Sequence, residues 1–160
     1  MLCRQHGLSL IEILIVIVVL AIIMAIAVPR LVDASGDARE SALATDLQML
    51  RRQIRLYKEQ HAGRGPHLDE SGSPDTANLV ARMLGKTDVK GKLSPTGAHG
   101  PYVKAWPTNP YCTDSIAGEI VFGDAPAPPR DGTSGWYYCT TTCVISPNSK
   151  TGCTSWDPSE

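Results

Sequence analysis

The sequence predicts an α+β protein: one long N-terminal hydrophobic helix, then a head built on a small antiparallel β-sheet. Three observations predict it. An unbroken apolar run extends from Leu8 to Val28 apart from one acid, and Leu43, Leu47, Leu50, Ile54 and Tyr57 then follow helical spacing. After residue 118, short β-rich segments alternate with turn residues. A length of 160 residues allows one modest domain beside the hydrophobic segment. The formal net charge of -1 gives no global reason to expect nucleic acid or anionic lipid as the main partner.

The run from Leu8 to Val28 contains 21 residues. As a helix it would extend about 31 Å, close to the hydrocarbon thickness of a bilayer. Arg4 and the chain terminus place positive charge before it, which predicts a single-pass segment with its N-terminus in the cytoplasm and its C-terminal head exported. A cleaved secretory signal would have a shorter apolar core followed by a small-residue cleavage site; here Gly7 precedes the run instead. The exception inside the run is Glu12. A carboxylate in hydrocarbon costs on the order of 2.5 to 3.5 kcal/mol or more, so Glu12 requires a partner.

Gly7-Leu8-Ser9-Leu10-Ile11-Glu12 resembles the class III signal of type IV pilins and type II secretion pseudopilins, a short basic leader ending in Gly before a hydrophobic helix with Glu at its fifth position. Leu8 stands where that family more often has Phe, and Ser9 where Thr is commoner. The resemblance implies that a prepilin peptidase removes residues 1–7 by cutting after Gly7 and methylates the new amine of Leu8. Cleavage would put an ammonium on Leu8 one helical turn from Glu12, on the same face. In a bundle of many copies Glu12 can instead meet the Leu8 amine of a neighbour, which would fix the axial register of assembly.

Beyond Pro29, residues 29–62 are predicted to continue as an amphipathic helix reaching about His61, with Gly63 and Gly65 as terminators. Ala34, Ala38 and Ala42 extend its stripe with small residues, while Pro29 and Gly36 weaken the backbone ladder locally. The family resemblance implies one long helix that partly protrudes from the head, its first half forming the filament core, and gives Pro29 a role in assembly. Arg51, Arg52, Arg55 and Lys58 form a basic face on it. With only Tyr57 as an interleaved aromatic, that face reads as a solvated or inter-subunit surface rather than a nucleic-acid site, and Asp33, Asp37, Glu40 and Asp46 offer complementary charges on neighbouring subunits.

Residues 63–160 form the predicted head. Residues 63–75 read as a loop, and Ser73-Pro74 as the start of a short helix near 74–84 that turns Leu79, Val80, Met83 and Leu84 to one face and stops at Gly85. Residues 86–100 read as a connector. The stretch from Gly100 to Tyr111 is similar to the Gly-Pro-Tyr-Leu-Lys and Pro-x-Asp-Pro-aromatic stretch of major pseudopilins, with Asn109 where Asp is usual. Residues 119–123, 135–139 and 143–146 have strand composition, the first two separated by a Pro-rich loop.

Four of the five cysteines, Cys112, Cys139, Cys143 and Cys153, lie in the last third of the chain, where export would favour disulfides. With Thr140 to Thr142 as a turn, Cys139 would face Cys143 across a hairpin, leaving Cys112 for Cys153; four cysteines permit three pairings, and the others remain open. Cys139 and Cys143 are the only close pair, which argues against zinc. The resemblance raises calcium as a possible cofactor, but Asp114, Glu119, Asp124 and Asp131 lack a recognisable ligand spacing, so no metal site is assigned. No catalytic constellation stands out, and an enzyme is not expected.

The expected function is that of a structural subunit of a periplasmic pseudopilus in type II protein secretion. The expected partners are further copies of the chain, other pseudopilins, an inner-membrane assembly platform, the prepilin peptidase and the membrane itself; nucleic acid is not expected. The alternative is a type IV pilin subunit of a surface filament serving adhesion, motility or DNA uptake.

Overall fold

A computed structural model describes the backbone of residues 10–150 and the side chains of that range outside 26–34. The chain divides into two compact units, one ending at Ala38 and the other beginning at Arg39. The leader 1–7, Leu8, Cys153 and residue 29's side chain lie outside the described residues.

Helix α1 runs from Leu10 to Gln60, 51 residues, and is continuous through positions 29 and 36. The predicted weak points therefore do not interrupt it. An interior Pro costs about 3 kcal/mol and Gly about 1 kcal/mol against Ala, yet the backbone stays helical through both positions. The helix stops as the sequence predicts, one residue before His61. The Gly63 N–H donates to the Lys58 carbonyl at 2.8 Å, which needs left-handed backbone at Ala62 (φ 55°) and is followed by Gly63 at φ 82°. Glycine suits the second of these positions, whereas Ala62 holds the first with a Cβ that disfavours it.

In the second unit the predicted stripe is the core. Leu43, Leu47, Leu50, Ile54 and Tyr57 are all buried and cluster with Leu79, Met83, Tyr102, Val103, Trp136, Tyr138 and Ile145. Burying each large side chain of this kind contributes roughly 1.5–3 kcal/mol. Helix α2, Leu79–Leu84, supplies Leu79 and Met83. It begins later than the Ser73-Pro74 signal suggests, after a 3-10 turn at Thr76–Asn78. Pro74 is held in an antiparallel bridge to Leu68, and the Asp75 N–H donates to the His67 carbonyl at 2.7 Å, so both residues are used outside the helix. Leu84, expected on the apolar face, is instead exposed, and Arg82 is buried.

Three strands follow: β1 (Ile120–Gly123), β2 (Trp136–Cys139) and β3 (Val144–Pro147), in the order β1-β2-β3. The sheet is mixed, not antiparallel as predicted: β2 pairs antiparallel with β3, but β1 lies parallel to β2, with Ile120 beside Trp136 and Gly123 beside Cys139. The reason is the connection. A tight turn can only return a strand antiparallel, whereas the Asp124–Gly135 segment is long enough to carry the chain back to the start of β1. It also covers the outer face of β2: the Tyr137 hydroxyl donates to the Ala125 carbonyl at 2.8 Å. Gly135, at the entry to β2, admits no side chain, since a Cβ there would stand 1.9 Å from the Ala117 carbonyl oxygen.

Residues 86–100 are more than a connector. Thr87 is fully buried, bridges to both Leu93 and His99, and its N–H donates to the His99 carbonyl at 2.9 Å.

Candidate functional site

The apolar segment of α1 is the first candidate. Glu12 lies within α1, near the first of the described residues. The large apolar side chains around it are exposed, from Leu10 at 85 % to Leu20 at 46 %. That is a surface water does not tolerate at this extent. Among the described residues no helix is long and apolar enough to cross a membrane. The run expected to span, Leu8–Val28, continues beyond the described side chains at both ends. Gly7 and Leu8, the processing residues, lie outside the described range, as do the side chain of Pro29 and all of Cys153.

The basic face is divided by its surroundings. Arg52 and Arg55 are exposed, while Arg51 and Lys58 are half-buried. Arg51 Nε donates to the Ile145 carbonyl at 3.3 Å, which fixes that guanidinium against β3. Arg51, Arg55 and Lys58 line a groove of about 170 Å³ whose far wall is Thr142, Cys143 and Val144.

The cysteines do not take the expected hairpin pairing. Cys112, Cys139 and Cys143 are free thiols. The hairpin forms, but its register pairs Cys139 with Val144, leaving Cys143 in the turn at φ 60°. Cys139 Sγ is directed at the Asp124 carbonyl, 3.6 Å away. Cys143 packs elsewhere: a side chain added at Gly65 would meet its Sγ at 2.7 Å and the His67 ring at 2.6 Å. The two thiols thus serve different neighbourhoods. Burial pushes the Cys112 thiol pKa up.

The acids considered for calcium do not converge. Asp131 Oδ1 already accepts from the Thr133 N–H at 3.0 Å, the Thr133 hydroxyl at 2.8 Å and Asn148 Nδ2 at 2.8 Å. These bonds, those of Thr133 first, hold its pKa below the usual carboxylate range. Asp124 accepts from the Thr140 hydroxyl. Asn148, fully buried, does the organising: Nδ2 also donates to Ser134 Oγ at 3.0 Å, and Oδ1 accepts the Arg130 N–H at 2.9 Å. A side-chain amide thus closes this loop, and the carboxylates present do not fit a calcium cage, which takes six to eight oxygen ligands. Among the described residues no group of three or more His, Cys, Asp or Glu is placed to hold a metal.

Asn109, where the resembled motif has Asp, is explained by donation. Its Nδ2 donates to the Gly135 carbonyl at 2.8 Å and to Ser149 Oγ at 3.3 Å, while its Oδ1 accepts the Tyr111 N–H at 3.0 Å. A carboxylate could not donate to a carbonyl. The aromatic residues of that motif fold inward: Tyr102 is buried and its hydroxyl donates to Gln60 Oε1 at 2.7 Å. Trp106 and Tyr111 pack at the core's edge.

Residues 2–28 match the family model described as a prokaryotic N-terminal methylation motif. The chain carries a prepilin-type methylation signal. Its likeness to pilins and pseudopilins, read from Gly7 to Glu12, stands on that match and on relatives named type II secretion system core protein G. The protein of that name from Pectobacterium carotovorum subsp. carotovorum is 28% identical over 111 residues, covering 69% of this chain and 65% of the relative. That from Klebsiella pneumoniae is 26% identical over 111 residues, covering 69% and 72%. That from Dickeya chrysanthemi is 27% identical over 108 residues, covering 68% and 64%. The chain thus spans about two thirds of the length of the relatives it matches. No solved structure gives a significant match.

Proposed function

We propose that this chain is a structural subunit of a periplasmic pseudopilus in type II protein secretion, not an enzyme. The reading is carried by one observation: the likeness to core protein G covers 111 residues, whereas the methylation motif covers only 2–28. A shared signal alone would leave all prepilin-like proteins equal; likeness reaching into the head favours the secretion branch over a surface pilin.

The mechanism follows from the chain's own residues. Hydrolysis of the Gly7–Leu8 peptide bond releases the leader as a carboxylate and leaves an amine on Leu8, which is then methylated. Before assembly the apolar segment anchors the subunit in the inner membrane, with the head in the periplasm. During assembly the exposed apolar side chains from Leu10 onward exchange lipid for the helices of other copies, and no hydrophobic free energy opposes the exchange because both surroundings are apolar. Glu12 then pairs with the amine of Leu8 on its own chain or a neighbour's.

N-terminal sequencing and the intact mass of the mature protein test this reading. We expect a chain that begins at methylated Leu8, and an intact Met1 terminus overturns it. A deletion strain expected to lose protein secretion distinguishes the branches: normal secretion with loss of surface pili would assign the chain to the type IV pilins.

A further inference from the structure

We propose that the groove between β1 and helix α2 receives the lysine-rich turn at Val89 of a second copy of this chain, in a head-to-tail contact that repeats from subunit to subunit. The inference rests on the subunit reading above and adds to it the two surfaces by which heads meet.

Three observations carry it. The first is the groove. About 300 Å³ in volume, it is lined by the apolar Ala77, Val80, Ile120 and Phe122, and Glu119 is its one charged group. Strand β1 is also an open edge of the sheet. The Trp136 N–H donates to the Glu119 carbonyl at 3.0 Å and the Thr140 N–H to the Gly123 carbonyl at 2.9 Å. Alternate residues of the strand therefore address β2, and the backbone groups of Ile120 and Phe122 point away from it. Nothing among the described residues takes them. Glu119 and Asp124, both exposed, flank β1 and oppose a second β1 laid along that edge, because its own two acids would arrive beside them. A cation is favoured instead, since a lysine ammonium can both bond the outward carbonyls and meet Glu119.

The second observation is the turn. Val89 is 61 % exposed, the most exposed large hydrophobic residue described in its unit, and Lys86, Lys90 and Lys92 around it are exposed as well. The turn is held in shape. The Asp88 carboxylate accepts the N–H groups of Lys90 at 2.8 Å and Lys92 at 3.0 Å, and the Asp88 N–H donates to the Lys92 carbonyl at 2.9 Å. An apolar tip fixed in this way enters an apolar groove at little ordering cost. Three ammonium groups against one carboxylate leave the turn basic, and Glu119 supplies the opposite charge. Lys92 lies 3.5 Å from Glu70, whereas Lys86, Lys90 and Glu119 take part in no ion pair among the described residues. The third observation is placement. Val80 lines the groove, whereas Arg82 sends Nε to the Gly91 carbonyl of the turn at 3.1 Å. Two positions on a helix are about 200° apart, so groove and turn flank opposite faces of α2. Two copies joined by these surfaces leave one groove and one turn open for the next, where a symmetric contact would stop at two.

The test uses filaments assembled from the full chain, with isotopically light and heavy subunits mixed before assembly. A zero-length carbodiimide joins a carboxylate to an amine only when the two are in contact. We expect a light–heavy link between Glu119 and Lys90, and a ladder of linked products that continues past the dimer. Val89→Asp should lower the assembled fraction roughly tenfold, because it brings a carboxylate into an apolar groove beside Glu119, and should leave the melting temperature of the exposed turn's chain unchanged. Lys90→Glu should lower assembly roughly fivefold. Adding Glu119→Lys to that chain should restore both assembly and the link with its polarity reversed, a result that neither misfolding nor a solvated turn would give. Filaments of Leu8-started subunits that lack the Glu119–Lys90 link, or in which Lys90 is joined to a different acid, overturn the contact while leaving the subunit reading intact. Links confined to one chain do the same, as does a ladder that ends at the dimer, which would assign the edge of β1 to symmetric pairing. Failure of the wild-type chain to form any filament overturns both.

Discussion

With its side chain only 5 % exposed, Arg82 sends Nε to the Gly91 carbonyl at 3.1 Å and Nη1 to the carbonyls of Pro66 and Asp75, both at 3.1 Å. Nη2 meets the Asp75 carboxylate. One planar guanidinium therefore fastens α2 to the loops on either side of it, a geometry that an ammonium cannot copy. Replacing Arg82 with Met should destabilise the full chain by at least about 2 kcal/mol, because the carbonyls lose a charged donor. Arg82→Lys should recover only part of this, with urea unfolding as the measurement. Nothing in the sequence marks this arginine. A charged residue in a six-residue helix reads as solvent-facing, and its acceptors come from loops whose positions are set by tertiary packing. Asn109 was legible as a departure from a motif, but its reason, donation to Gly135, required the fold.

The C-terminal end of α1 is where the helix meets the loops of the head, and histidines occupy that junction. His61 is fully buried, stacked on Tyr57 with ring centroids 3.9 Å apart. Its Nδ1 lies 2.7 Å from the Tyr57 carbonyl and its Nε2 3.0 Å from Thr87 Oγ1. The carbonyl can only accept, so Nδ1 carries the proton and Nε2 accepts from Thr87 in the neutral ring. Burial holds the His61 pKa below the ordinary histidine value, with the nearby His99 lowering it further and the Tyr57 and Asp88 backbone opposing. His67, 3.1 Å from the Tyr138 hydroxyl, is lowered by burial, then by Arg82 and Lys58. Tyr57 itself is pushed up to about 12 by burial. Because both histidines bind protons less readily folded than unfolded, the neutral rings stabilise the head above the ordinary histidine pKa. That contribution declines as pH falls from about 6.5 towards the depressed folded values. Thermal melting between pH 7.5 and 5.0 should show a decline, and His67→Gln should reduce its slope; a flat profile contradicts the assignment. At this scale the helical stripe was readable because periodicity is local. The parallel pairing of β1 was not, since it depends on where a Pro-rich loop delivers β2.

For the whole molecule, the two units differ in what covers their apolar side chains: within the second, the stripe Leu43, Leu47, Leu50, Ile54 and Tyr57 is buried by the head, whereas the described large apolar residues of the first are exposed. The sequence announced that contrast through composition, a nearly uniform apolar run followed by an amphipathic one. It could not announce how the head's loops are closed. Asn148 organises the loop at Asp131, an acid to which the sequence assigned no metal, and its bonds to Asp131, Ser134 and the Arg130 N–H are invisible without the fold. The melting temperature of the full chain should accordingly be unchanged, within about 1 °C, by calcium or by a calcium chelator; a chelator-induced fall of several degrees, about 1 kcal/mol or more of stability, would contradict that closure.

The central strand β2 also dictates when the head can form. Trp136 and Tyr138, which cover the helical stripe, and Ile145, which packs beside them, all follow the long crossover. A chain emerging from its N-terminal end therefore exposes Leu43 to Tyr57 for most of its length with little of the sheet to cover them. Contacts so distant in sequence delay closure, and the head is completed late, when the last few dozen residues arrive together.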